Sequence, residues 1–197
     1  MPGSPHSCDV PMQPAAVDLL NDLGPVLGRW GRWYVFGAQA VVLYGVPRLS
    51  ADVDVTLALA PDVPEKFVAD MDAAGFAAGV TDPEFVRRTR VLPFVHRRSG
   101  MPLDIVLAGS GLEEEFLSRA VATPVGETRV PVIDISDLII AKVLAGRPKD
   151  LQDVAALWRI HRGRADTTRI RHVLGLLEEA LSQSDLLSAF ERIAQER

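Results

Sequence analysis

The sequence predicts an α/β (α+β) protein: a mixed core followed by a helical C-terminal third. Three observations carry that prediction. Short β-type runs alternate with helically spaced segments as far as residue 134. Two of the apolar runs contain aspartates. After residue 134 the apolar spacing is helical throughout. At 197 residues the chain holds one domain, or one domain with a small helical appendage, and no internal repeat is visible.

The elements follow in order. Residues 1–14 carry four prolines and read as a disordered leader, 15–134 as the core and 135–197 as the helical region. Ala15 to Leu27 places Val17, Leu19, Leu20, Leu23, Val26 and Leu27 at helical spacing, with Gly28 and Gly31 ending it. Trp33-Tyr34-Val35-Phe36 is a short β-type run, broken by Gly37. Ala38 to Tyr44 reads as a short apolar helix closed by Gly45, and Pro47 to Ser50 as a turn before a strand from Val53 to Leu59. Pro61 opens a helix over about Val63 to Ala74, stopped by Gly75. Phe85 to Arg90 and Val91 to His96 read as extended, and Arg97-Arg98-Ser99-Gly100 as a hairpin turn. Pro102 to Leu107 is the returning strand, Leu112 to Arg119 a helix and Arg129 to Ile133 a last short strand. Ser136-Asp137 caps a helix running through Leu144; further helices cover Lys149 to Ile160, Asp166 to Leu181 and Asp185 to Arg197.

Composition narrows the classes. Hydrophobic residues make up 48% of the chain, enough for a substantial core, and the net charge of −5 does not suit a generic nucleic-acid binder. The single cysteine, Cys8, excludes a disulfide framework, and the four histidines are too scattered for a zinc set. With no signal peptide and no apolar run of membrane-spanning length, a cytoplasmic, membrane-free protein is expected. Trp30, Trp33 and Trp158 read as packing residues.

The chemistry is concentrated in Asp52-Val53-Asp54-Val55. On a strand, residues two apart share a face, so both carboxylates point the same way and raise each other's pKa. A cation between them relieves the repulsion, and Mg²⁺ shared with a substrate phosphate is the natural one for oxygen ligands. Asp104, alone in the apolar Leu103-Asp104-Ile105-Val106, would complete a three-carboxylate site if its strand lay beside the first. Such a site suits two Mg²⁺ ions and in-line displacement at phosphorus.

Gly37-Ala38, then Asp52-Val53-Asp54-Val55, then Asp104 resembles the signature of the DNA polymerase β-like nucleotidyltransferase superfamily. The run Ala40 to Asp54, with Gly45, Arg48 and Ser50, is similar to a string of the minimal bacterial branch that includes AbiEii-type toxins. Asp137 to Lys142, and Gly146-Arg147-Pro148-Lys149-Asp150 through Asp153, match that branch's downstream motifs. The resemblance spans about residues 33–160, with Ala38 replacing the family's second glycine and Ser50 its threonine.

The resemblance implies a nucleotidyltransferase core of a small mixed sheet with flanking helices and a C-terminal helical bundle. It implies transfer of an NMP from an NTP to an acceptor hydroxyl, with Asp52, Asp54 and Asp104 on two Mg²⁺ ions. Gly37, Ala38, Arg48, Ser50 and Lys142 would hold the triphosphate, and Asp150 would position Lys142 or the acceptor. The acceptor would be RNA, notably a tRNA 3′ end, in a toxin–antitoxin or phage-defence pair with a cognate antitoxin as partner. Two alternatives stand beside it: an antibiotic nucleotidyltransferase of the aminoglycoside or lincosamide kind, and a non-catalytic partner module. Arg87, Arg88, Arg90, Arg97 and Arg98 lie ahead of Asp104, either as a solvated face or as a contact for an RNA backbone.

Overall fold

A computed structural model describes residues 12–195 except 61, 81 and 110. The leader as far as residue 11 and the helix start at Pro61 lie outside the described residues. In chain order the elements are α1 (Pro14–Trp30), β1 (Trp33–Phe36), α2 (Gly37–Leu43), β2 (Val53–Leu57), α3 (Glu65–Ala73), β3 (Phe76–Ala78), α4 (Pro83–Thr89), β4 (Val91–His96) and β5 (Pro102–Leu107). There follow α5 (Leu112–Arg119), β6 (Val121–Val125), β7 (Thr128–Val132), α6 (Ile135–Ala145), α7 (Pro148–His161), α8 (Thr167–Leu181) and α9 (Leu186–Gln195).

The strands form one mixed sheet in the order β3-β4-β5-β2-β1-β7-β6. β1–β7 and β2–β5 are parallel, and the other pairs are antiparallel. Register across the centre aligns Phe36, Asp54, Asp104 and Pro93, so these four share a face. Neighbours one residue away point to the opposite face. On that side Phe94 meets Phe67 of α3 and His96 bonds Asp22 of α1, which places the α1/α3 layer there.

Five readings change. α1 begins at Pro14, inside the stretch read as leader, and passes Gly28 to stop at Gly31. Its buried face of Leu19, Leu20, Leu23, Val26 and Leu27 outweighs the weak helix propensity of its glycines and Pro25. Residues 83–89 are helical rather than extended, because Asp82 accepts from the Glu84 amide at 3.0 Å and Pro83 occupies the first turn. The cap of α6 is Asp134, which accepts from the Ser136 amide, so Ser136 and Asp137 lie inside the helix. β2 ends at Leu57, leaving Leu59 outside the strand. β3 and β6, one three residues long and the other largely exposed, gave no apolar alternation to read.

The C-terminal helices are fastened to the sheet by polar contacts. Tyr44, just after α2, donates its hydroxyl to the Ile133 carbonyl at 2.7 Å. His161 at the end of α7 lies 2.7 Å from the Tyr44 carbonyl and donates to it through Nε2. Fully buried Asp137 of α6 receives Arg119 at 2.9 Å and Arg169 at 2.7 Å, which ties α5, α6 and α8 together.

Candidate active site

Asp54 lies in the middle of the sheet because β2, apolar apart from Asp54 and Thr56, runs between two other strands. The parallel β2–β5 register sets Asp104 directly beside it. Burial, then the charges of Asp52 and Asp104, push the Asp54 carboxyl up to about 6, while Lys142 and Arg147 pull the other way. Asp104 is raised by burial and then by Asp52.

Asp52 stands one residue ahead of β2, which begins at Val53. Its position is set by polar contacts: Ser50 Oγ donates to its carboxylate at 2.8 Å, and the buried Gln39 amide donates to its backbone carbonyl at 3.0 Å. Ser50, expected on the triphosphate, therefore acts here on Asp52. Among the described residues no group of three or more His, Cys, Asp or Glu is closed into a metal-holding set. The donors nevertheless fit a hard dication: all are carboxylate oxygens, and the Asp54 carboxyl is raised by burial and then by its acidic neighbours.

Gly37 abuts this centre. It follows Phe36, the register partner of Asp54, and starts α2 with φ +64°. A Cβ built on it would lie 2.1 Å from an Asp54 carboxylate oxygen, so the Asp54 side chain occupies the space where any Gly37 side chain would stand. Ala38, next in the helix, is buried.

Beside the carboxylates lies a cationic cluster. Lys142 of α6 is buried and donates to Asp150 at 3.1 Å and to Asp153 at 2.7 Å, both on α7. Arg48, on the loop after α2, pairs with the same Asp153, and Arg147 pairs with Asp150. Three cations thus meet two acids. Burial lowers the Lys142 pKa; against burial, Arg147 and Lys142 hold Asp150 below the ordinary carboxylate range. Arg48 and Lys142 are engaged with acids rather than free, and Asp150 does touch Lys142. A cavity of about 430 Å³ opens alongside, lined by Gln13, Gln39, Val42, Pro47, Arg48, Leu49 and Ser50.

Gln39, Arg147 and Asp153 are the participants that sequence reasoning did not assign. Buried Gln39 stood out only as the one amide in the apolar run Ala38 to Leu43. The arginines ahead of Asp104 mostly face acids: Arg87 meets Glu84 and Asp62, Arg97 meets Asp72, and Arg98 meets Asp18 and Asp22. Arg90 caps the end of β5 through the Leu107 and Ala108 carbonyls.

No protein-family model matches the chain, and no curated protein matches its sequence. Solved structures do resemble it. The antibiotic-resistance factor ANT(2'')-Ia, in solution, superposes with a TM-score of 0.60 at 14% identity, over 87% of this chain and 97% of that one. The same factor in complex with adenylyl-2''-tobramycin gives 0.51 at 15% identity, over 90% and 97%. An antigenic nucleotidyltransferase-like protein from Paracoccidioides brasiliensis gives 0.51 at 14% identity, over 89% and 88%. The chain has the nucleotidyltransferase fold. Among the described residues no helix is long and apolar enough to cross a membrane.

Proposed function

We propose that the chain is a Mg²⁺-dependent nucleotidyltransferase that moves an NMP from an NTP onto an acceptor hydroxyl and releases pyrophosphate. The observation that carries this reading is the register setting Asp104 beside Asp54, with Gly37 against Asp54. Asp52, Asp54 and Asp104 would hold the metal, two ions by the resemblance. When bound, Mg²⁺ neutralises charge developing on the phosphate oxygens and the leaving group.

The chain's own residues do the rest. The Gly37 and Ala38 amides line the start of α2, where a phosphate would be received. Arg48, Lys142 and Arg147 supply positive charge beside the carboxylates. Ser50 orients Asp52 and Asp150 orients Lys142. Asp104, beside Asp54 in the parallel register, would take the proton of the acceptor hydroxyl.

For the acceptor, a small hydroxylated molecule fits the surroundings of Asp104. Val91, Pro93 and Val95 of β4, and Val106 of β5, share its face of the sheet and offer an apolar platform, with Val95 exposed. Most of the arginines nearby already face acids or carbonyls. The ANT(2'')-Ia complex with adenylyl-2''-tobramycin shares the fold, which agrees with such an acceptor. The second reading is the AbiEii-like toxin acting on a tRNA 3′ end in the cytoplasm, with an antitoxin partner. It is favoured by Lys142, Asp150 and Asp153, three residues of the branch's downstream motifs that meet in one cluster.

Incubating the protein with Mg²⁺ and each α-labelled NTP, against total tRNA and separately against aminoglycosides and lincosamides, tests both. Label on a small molecule supports the first reading, and label on tRNA with toxicity on expression supports the second. No label on any acceptor, with wild type matching Asp104→Asn, would sink both.

A further inference from the structure

Lys142 and Arg48 come from elements far apart in sequence, one buried in α6 and the other on the loop after α2. Unaided, two cations at close range repel, and a long side chain on a loop samples many rotamers. In the fold both converge on one carboxylate oxygen, Asp153 Oδ2, which lies 2.7 Å from Lys142 Nζ and also receives Arg48 Nη1. Asp150 takes the other side of Lys142 and, in addition, Arg147. The second oxygen-sharing acid therefore looks redundant as a partner for Lys142 alone. Its distinct contribution is the bridge to Arg48.

A second tie leads from the same helix to the same segment. Two turns beyond Asp153, His161 holds the Tyr44 carbonyl at 2.7 Å, one residue before Gly45. α7 thus grips the chain between α2 and β2 at Tyr44 and at Arg48. That stretch carries Ser50, which orients Asp52. Asp153 sits where the cation cluster and the carboxylate centre are joined.

We infer that Asp153 is a positioning residue for triphosphate recognition: it yokes Arg48 to Lys142, so that two cations face the phosphates as one preorganised pair. The inference rests on the nucleotidyltransferase reading. Asp153 touches no phosphate itself. Its charge offsets the mutual repulsion of Arg48 and Lys142, and its bridge fixes the Arg48 rotamer before the ligand arrives. Because three cations face only two acids in the cluster, positive charge remains for the phosphates. Losing the yoke costs affinity in proportion to the number of phosphates, and leaves recognition of the nucleoside unchanged.

The test uses the full chain and inorganic tripolyphosphate, the four NTPs and the four NMPs as probes, with Mg²⁺, read by calorimetry. Variants are Asp153→Asn, Arg48→Gln, the double variant and Asp153→Glu, each checked for fold by circular dichroism. Asp153→Asn is expected to weaken tripolyphosphate and NTP binding by at least about tenfold, the scale of one charge-assisted hydrogen bond, with NMP affinity changing much less. Arg48→Gln loses a similar factor, the double variant loses no more than the worse single variant, and Asp153→Glu restores most of the affinity. A folded Asp153→Asn that binds tripolyphosphate as the wild type does, or loses NMP and NTP affinity equally, overturns the inference. Should Asp153→Asn fail to fold, Arg48→Gln decides: unchanged tripolyphosphate affinity overturns it. A wild type that binds neither tripolyphosphate nor any NTP would instead defeat the nucleotidyltransferase reading itself.

Discussion

Asp54→Asn should make the protein more stable, not less, near neutral pH. Folding carries the Asp54 pKa from 3.8 to about 6, through burial first and then repulsion from Asp52 and Asp104. The folded state therefore holds this proton more tightly than the unfolded state does. Stability from this group is full below the unfolded value of 3.8, falls as pH rises towards about 6 and stays low above it. At 1.36 kcal/mol per pKa unit the shift corresponds to about 3 kcal/mol, and screening at a partly open site reduces it to about 2 kcal/mol. Asn keeps the shape and removes the charge, so at pH 7 the variant should melt about 4–8 °C higher. Thermal unfolding of both proteins from pH 4 to pH 8 reads this directly. The gap should widen with pH up to about 6 and then hold. Mg²⁺ should raise the melting temperature of the wild type and leave the variant's unchanged, since ligand binding stabilises only the state that binds it. A variant that melts lower than wild type at pH 7, or a gap that does not change with pH, refutes the claim that Asp54 is held charged against its surroundings.

Three further outcomes follow from the same geometry. Gly37→Ala would drive a Cβ to 2.1 Å from the Asp54 carboxylate at a left-handed position; kcat/KM should fall by about 100-fold or more, read by steady-state kinetics. Ser50→Ala removes the 2.8 Å bond that orients Asp52, so the Mg²⁺ concentration for half-maximal activity should rise by about tenfold while the rate at saturating Mg²⁺ changes little. Asp137→Asn leaves Arg119 and Arg169 around a buried site without its charge; urea unfolding should show a loss of about 3 kcal/mol, with turnover per folded molecule retained.

The order of elements was legible because most of them carry their own periodicity and punctuation. β1, β4, β5 and β7 lie where apolar runs bounded by Gly, Pro or charged turns placed them. The helix at 83–89 was masked by its β-branched and aromatic residues, although the start signal Asp82-Pro83-Glu84 was present in the chain. Asp54 and Asp104 were legible as isolated acids in apolar strands. Their adjacency was a conditional statement that only the β2–β5 register resolves, since strand order is not written in local spacing. The cationic cluster shows the opposite limit. Lys142, Asp150 and Arg48 were each visible as candidates, but their partner Asp153 reads equally well as an acid favoured near a helix N-terminus. Which acid meets which cation depends on how α6, α7 and the loop after α2 are packed, and no spacing in the sequence encodes that.

The central claim is transfer of a nucleotidyl group by the carboxylate centre. Its most direct test is a paired labelling experiment, with one NTP carrying radioactive phosphorus at the α position and another carrying it at the γ position, in Mg²⁺ with the acceptor set described above. The account predicts that α label is retained on an acceptor, that γ label leaves as pyrophosphate, and that both signals vanish in Asp54→Asn and Asp104→Asn. Retention of γ label on the acceptor, or α-label transfer that persists in both variants, would contradict it.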